Sequence, residues 1–487
     1  MHKSLNRVVL GLSIAMFFLG SASVTAQVQE PAWSPPYRLS GRMGRFVENS
    51  NATAADDYGY AHVFWLEELE GARSVIMHTR FDGKTWDVPT DVHVVSAQAA
   101  SPSPFVDSQG TLHLAWVGGY QGPAYYSTAP AHRANSAAEW SRPLRIDVPA
   151  HHLDLRVSPD GTLHLVYTDL SEDRPGIYYT RSTDGALTWS SPVWLDPDIP
   201  QDHQPQHLQF LLDNGGGLHI VWQTLNLSQN TGGALRYIRS PDGGRSWTEP
   251  VMIDEPDESE GELRAANPVL IIQDRTVHVI WAGDETTHRE HRYSRDAGQT
   301  WTSVTPIFGD LHGQAGDACG IDAIGRVHFV GQIRYPQGLY HAFWDAERWS
   351  SPDLFYKINL DSSSPLEGQI HAHNVELALR VGHQLVATFY DRSDTGQYTL
   401  YAMDRTLEGV PAIQPRATPA PVSVEATHVA VQPTPTASFT LSNDGMPSPR
   451  DGGRVGQGSG NFIWVSLGPT LLLLIIVGVA KLKGGTR

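Results

Sequence analysis

The sequence predicts an all-β chain: a seven-bladed β-propeller followed by one C-terminal transmembrane helix. Three observations predict it. A unit of about fifty residues recurs seven times, and one such unit cannot bury its own apolar face. Each copy joins an alternating apolar strand to a strand led by Trp. The two strand series are offset by one, so the first Trp strand has no partner except at the far end of the repeats.

In chain order, the basic stretch MHKSLNR comes first, then an apolar run from Val8 to Gly20 and the small residues Val24, Thr25 and Ala26. This is the pattern of a secretory signal, residues 1–26, cleaved after Ala26; an uncleaved anchor is the alternative. No cysteine follows at that site, which argues against a lipoprotein anchor.

The ectodomain is expected over residues 27–410. Its Trp strands open at Trp33, Trp86, Trp140, Trp189, Trp247, Trp301 and Trp349, often with Pro three residues later. Its alternating strands read GYAHVFW, GTLHLAW, GTLHLVY, GGLHIVW, RTVHVIW, GRVHFVG and, more weakly, GHQLVATF. Alternation and β-branched content argue for half-buried strands, and the Asp/Gly clusters for hairpin turns. The orphan strand from Trp33 to Ser40 is expected to complete the last blade, made by residues around 370 to 405. Such closure leaves no large open edge. A six-bladed ring with an extra flanking hairpin is the alternative.

Six copies carry His at one place: His62, His113, His164, His219, His278 and His328; the seventh has Leu385. A residue repeated once per blade lies too far from its equivalents to share one ion. These histidines are expected to pack blades or bond hairpins, not to bind metal.

Residues 411–460 are rich in Pro, Thr, Ser and Gly without apolar periodicity, the composition of a disordered stalk. Residues 461–482 are expected as a transmembrane helix: Phe462 to Ala480 is apolar apart from Ser466 and Thr470. At about 1.5 Å per residue that run covers a hydrocarbon core of about 30 Å. Lys481, Lys483 and Arg487 place the tail, 483–487, in the cytoplasm and the propeller outside the cell. The chain is thus expected in the cell membrane, single-pass.

Cys319 is the one cysteine, so no intrachain disulfide is possible and stability must come from packing. The formal net charge of −17 makes nucleic acid a poor partner. A monomer without cofactor or metal is expected, with an extracellular glycan or glycoprotein as partner.

The turns before the Trp strands carry a motif. SPDGGRSW (240–247) and SRDAGQTW (294–301) match the pattern Ser/Thr-x-Asp-x-Gly-x-x-Trp at every specified position. STDGALTW (182–189) has Ala186 in the Gly place, HTRFDGKTW (78–86) is one residue short, and WDAERW (344–349) is a relic. This resembles the Asp-box, or BNR repeat, of the sialidase superfamily of propellers. The resemblance covers essentially the whole ectodomain and implies a scaffold, not an activity. Asp242 and Asp296 are expected to accept backbone N–H bonds within the hairpin while the Trp packs between sheets. Between a blade's third and fourth strands, the boxes fall on the rim opposite the usual ligand face.

On that ligand face the polar segments are HHLD (151–154), DHQPQH (202–207), EGELRAAN (260–267), HGQAGDAC (312–319) and HAHN (371–374). Loops GARS, LSEDRPG, GDETTHREH, IRYPQG and YDRSD add to them. Solvent exposure alone also makes loops polar. The ligand-binding candidates are His151, Asp154, His203, His207, Glu262, Arg264, Asp317, His371 and His373. Two carboxylates facing across the axis, among Asp154, Asp202, Glu262 and Asp317, would suit a different hydrolase. The paired histidines are a weak metal signal without a third spaced ligand.

The resemblance also implies what an active sialidase-like enzyme needs: three arginines on a sugar carboxylate, a Tyr nucleophile with its Glu, and an Asp acid/base. The family's Phe/Tyr-Arg-Ile-Pro segment is missing; GRMGRF offers Arg42 and Arg45. Arg45, Arg264, Arg334, Tyr335 and Glu262 are the candidates for that role, with Arg392 beside Tyr390 as a further pair. The leading expectation is therefore a surface-anchored propeller that binds a glycan through its polar axial face. An exo-acting hydrolase of sialidase type and a structural envelope protein are the alternatives.

Overall fold

The computed structural model describes residues 32–419, except 42–43, 48–49, 72, 97–101, 172–173, 201, 228–230, 255–265, 283–287, 314–315, 334–335, 358–371 and 393–396. The segments expected as signal peptide, transmembrane helix and most of the stalk lie outside the described residues. Among the described residues no helix is long and apolar enough to cross a membrane.

Seven antiparallel sheets form, one per repeat, so the ring has seven blades and the six-bladed alternative falls. The innermost strands, in order, are Ala52–Ala55, Ser103–Val106, His152–Val157, His203–Leu212, Ala266–Gln273, Asp317–Ile321 and Ala372–Arg380. Each lies against the next, and the last lies against the first. The second strands are the alternating segments, buried almost throughout because a neighbouring blade covers each face: Ala61–Leu69, Thr111–Val117, Leu163–Asp169, Leu218–Asn226, Thr276–Ala282, Val327–Ile333 and Gln384–Arg392. Blade 1 carries an extra strand, Arg45–Phe46, beyond Ala52–Ala55 on the same edge of Ala61–Leu69.

Among the described residues the core is divided into separate clusters. Apolar layers sit between blades, as propeller geometry requires. Phe64, Trp116 and Trp140 fill blades 1–2; Leu155, Leu165 and Tyr126 fill blades 2–3; Phe210, Trp222 and Tyr179 fill blades 3–4. Trp281 and Tyr237 fill blades 4–5, and Phe389 and Leu339 fill blades 6–7. Trp65 and Tyr390 close the layer between blade 7 and blade 1.

The expected closure is present. Tyr37–Arg38 pairs with Tyr398–Thr406, Tyr37 opposite Ala402 and Arg38 opposite Tyr401. Leu39 N–H donates to Leu400 O at 2.9 Å, and Ser34 N–H to Asp404 O at 2.8 Å. Ser40 Oγ and Ser34 Oγ accept from the N–H groups of Leu400 and Asp404 in return, each at 2.8 Å. Both ends of the ectodomain thus meet in one sheet.

The chain after blade 7 stays on the ring. Leu407 N–H bonds His383 O, Ile413 N–H bonds Val381 O, both at 2.8 Å, and Arg416 N–H bonds Asp57 O at 2.6 Å. The Arg416 guanidinium reaches Ser108 O at 2.6 Å and Asp57 at 2.7 Å, over the Tyr58 ring. Leu407–Arg416 is therefore a strap across the inner turns of blades 7, 1 and 2. The first residues of the expected stalk, from 411 on, belong to this strap.

The repeated histidines are structural links, as expected. His113, His164 and His219 use Nδ1 on the hydroxyls of Tyr126, Tyr179 and Tyr237 at 2.6–2.8 Å. His62, His278 and His328 use it on His78, His291 and His341 at 2.9–3.0 Å. Nε2 reaches a residue of the first inner turn: Asp56, Asp107, Ser158, Asp213 or Asp322. The two-residue turn of blade 5, Asp274-Arg275, supplies no such acceptor, and the buried Nε2 of His278 has none among the described residues. Leu385 packs toward blade 6, while Val386 beside it faces blade 1.

The turns SPDGGRSW and SRDAGQTW have the expected local geometry. Asp242 Oδ1 accepts from the N–H groups of Arg245 and Ser246 at 3.0 and 2.8 Å, and Ser246 Oγ donates to Oδ2 at 2.6 Å. Asp296 repeats this with Gln299 and Thr300. The Ser246 hydroxyl and backbone N–H hold the Asp242 carboxyl down at about 2. Gly244 sits at φ +80°, and a Cβ there would fall 2.0 Å from the Tyr179 hydroxyl of the previous blade. Tyr179 in turn meets Trp247 edge-on at 5.0 Å. The motif thus locks one blade to the next.

Candidate ligand site at the axial face

Antiparallel blades divide the ring into two faces. First-to-second turns and the Asp-box turns share one; blade-to-blade connections and second-to-third loops share the other. The second face is where the inner strands begin, and there the chain places Tyr120, His151, His152, Asp202 and His203.

His151 precedes the inner strand of blade 3, its N–H on Thr168 O at 2.8 Å. Its ring meets Tyr120 edge-on at 5.2 Å, and Tyr120, on the Gly118–Gln121 loop of blade 2, is 67% exposed. Burial, then the neighbouring His152, pushes His151 down to about 4. His203 opens the inner strand of blade 4, Nδ1 at 2.9 Å from Asp202.

His207 lies farther in, at a bulge. Its φ is +48°, and the register with Leu218–Asn226 slips between Gln206 and Gln209. The inner strands of blades 5 and 7 bulge at the same level, with Asn267 at +52° and Asn374 at +47°. A bulge turns a side chain out of the ladder and adds a local kink. His207 consequently comes beside His152; the surrounding wall, then His152, holds it neutral at about 4. Asn374 Nδ2 donates to Asn51 Oδ1 at 3.1 Å, and Asn51 Nδ2 to Asn374 O at 2.8 Å, which ties blade 7 to blade 1.

Below the mouth lies a polar layer. Asp154 Oδ1 accepts from Ser103 Oγ at 2.7 Å and from Arg156; Oδ2 accepts Phe210 N–H at 3.2 Å. Arg156 leans over the Phe105 ring, 5.7 Å from its centre. Glu376 of blade 7 projects into the same layer. It is partly open to the channel yet enclosed by protein. Burial, then the negative charge of Asp154, pushes its carboxyl up to about 8, against the opposing pull of Arg156.

The sequence candidates divide accordingly. His151, Asp154, His203 and His207 come to the axial face or its channel, all from blades 3 and 4. Asp317 does not. It forms a fully buried two-point ion pair with Arg289, 2.6 and 3.0 Å, and Arg289 also binds Gly313 O and Gln332 O. Burial raises the Asp317 carboxyl despite that partner. Removing either partner would strand a buried charge, so this pair is wall and not ligand surface. Arg45 is exposed on the short strand Arg45–Phe46 and paired with Glu68 at 2.7 Å. Glu262, Arg264, Arg334, Tyr335 and His371 lie outside the described residues, as does the side chain of His373. Among the described residues no group of three or more His, Cys, Asp or Glu is placed to hold a metal ion.

The sequence reading missed Tyr120, Arg156 and Glu376. Arg156 and Glu376 stand on inner strands, HLDLRV and HNVELALR, that set charged residues among apolar ones, a pattern that any strand with one wet face also shows.

No family model matches the chain, and no curated protein matches it. Solved structures do. A polysaccharide lyase, an ulvan lyase bound to -[GlcA(1-4)Rha3S]-, superposes with a TM-score of 0.51 at 12% identity over 77% of this chain and 96% of its own. A Dyadobacter fermentans protein of unknown function gives 0.48 at 14% over 77% and 99%, and the Hadza microbial sialidase gives 0.41 at 12% over 77% and 69%. At such identities the likeness shows the propeller fold alone.

Proposed function

We propose that this chain is an exported, membrane-anchored propeller that binds an extracellular glycan through the axial face of blades 2 to 4. The observation that carries this reading is the exposed Tyr120 ring meeting His151 edge-on, with His152 next to it and His207 beside His152. A pyranose offers an apolar C–H face to a Tyr ring and hydroxyls to neutral imidazoles, and Tyr has both an apolar body and a polar tip. The Asp-box turns support kinship with the sialidase superfamily as a scaffold. Export and anchoring rest on the terminal sequence segments, and the propeller is read as extracellular and monomeric on that basis.

The test is a glycan array probed with the detergent-solubilised full chain. Binding is expected, with Tyr120→Ala lowering affinity at least tenfold and His151→Ala several-fold. Tight binding untouched by both substitutions would move the site elsewhere. The sialidase-type alternative rests on Arg264, Arg334 and Tyr335, and release of free sialic acid from sialosides, abolished by Arg264→Ala, would favour it.

A further inference from the structure

Four blades place a polar side chain at one level of the inner strand, facing the following blade: Ser103, Asp154, Gln209 and Glu376. The first three share a task. The inner strand is a sheet edge, so half its N–H groups lack a ladder partner. Ser103 Oγ accepts Leu155 N–H at 3.2 Å, Asp154 accepts Phe210 N–H at 3.2 Å, and Gln209 Oε1 accepts Leu270 N–H at 3.0 Å. Glu376 departs from this pattern. It lies opposite Thr388, whose hydroxyl is on the Asn51 amide at 3.4 Å, and makes no hydrogen bond among the described residues. At the same level blades 1 and 6 carry only the small residues Ala52 and Ala318. A carboxyl enclosed by protein and left without a partner is costly to keep.

We propose that the channel is a catalytic site for hydrolysis of a glycosidic bond, with Glu376 as proton donor and Asp154 as the base. This rests on the glycan reading above, since the sugar enters from the face that carries Tyr120 and His151. Glu376 gives its proton to the glycosidic oxygen as the bond from that oxygen to the anomeric carbon breaks, the electron pair leaving with the oxygen. Water forms the new bond to the anomeric carbon and passes a proton to Asp154. Solvent then moves that proton back to Glu376. One water is consumed and two hydroxyl ends appear. The roles follow from the surroundings. Asp154 accepts from three donors, as a carboxylate does, while the enclosed Glu376 keeps its proton through neutral pH.

The full-length protein would be assayed on 4-nitrophenyl and methyl glycosides of glucose, galactose, mannose, xylose, arabinose, rhamnose and N-acetylglucosamine. At least one pair is turned over, with kcat/KM falling above pH about 8. Glu376→Gln loses roughly 10²–10⁴-fold on the methyl glycoside. It loses far less on the 4-nitrophenyl glycoside, whose leaving group needs little protonation. Array binding is retained, and the variant melts no lower than the parent. A structural role would cut both leaving groups equally, and that result overturns the assignment. So does a wild-type chain that binds glycans but turns over no probe. A chain that neither binds nor cleaves removes the glycan reading itself.

Discussion

Asp154 in blade 3 accepts the backbone N–H of Phe210 in blade 4 at 3.2 Å, and the same contact recurs one blade to either side. The ring therefore stitches its inner edges with side chains where no ladder can form.

Gln209 is the stitch farthest from the proposed chemistry and isolates the effect. Gln209→Leu keeps the side-chain volume and strands the Leu270 N–H, 3.0 Å from the lost acceptor. Leaving a buried donor without its acceptor costs about 1–3 kcal/mol. Urea unfolding is expected to show a lower midpoint with an unchanged slope. An unchanged midpoint would mean that water replaces Gln209 without loss.

The strap should matter more than its one ion pair. Arg416 and Asp57 are each about two-fifths exposed, so Arg416→Ala costs less than about 1 kcal/mol. Ending the chain after Thr406 removes the buried Leu407 and Val410 and the backbone bonds to His383, Val381 and Asp57. Differential scanning calorimetry is expected to show a drop several times larger for the truncation. Equal melting of truncated and parent chains would reduce the strap to a passive tether.

The architecture was legible because it repeats: seven Trp strands offset against seven alternating strands define both blade number and closure. The histidines were legible for the same reason, as a recurring residue reports a recurring contact. The site was legible only in part. Asp154 and His207 sit in polar segments at strand starts, whereas Glu376 is hidden in HNVELALR, and its aim depends on a bulge that the sequence does not announce. Asp317 shows the converse. It stands in a polar segment like the others, but its partner Arg289 comes from the third strand of the preceding blade. Such a pairing depends on how blades are juxtaposed, which local pattern does not encode.

Three buried histidines make stability depend on pH. Burial holds His164 and His278 at about 4 and His291 at about 3, against 6.5 in an unfolded chain. His278 and His291 share one 3.0 Å hydrogen bond and titrate as a pair. The folded state keeps these rings neutral while the unfolded state takes up protons, so stability is full above about pH 6.5 and falls as pH drops toward 4. A tenfold change in proton affinity is worth about 1.4 kcal/mol, so the His164 ring accounts for at most about 3 kcal/mol of that fall. Urea midpoints measured at pH 7.5, 6 and 5 are expected to fall steadily below pH 6.5. His164→Gln, which cannot titrate, should start lower at pH 7.5, having weakened the Tyr179 contact, and fall less steeply. A profile that is flat from pH 7.5 to 5, or a slope that His164→Gln leaves untouched, would show that these rings are not neutral in the fold.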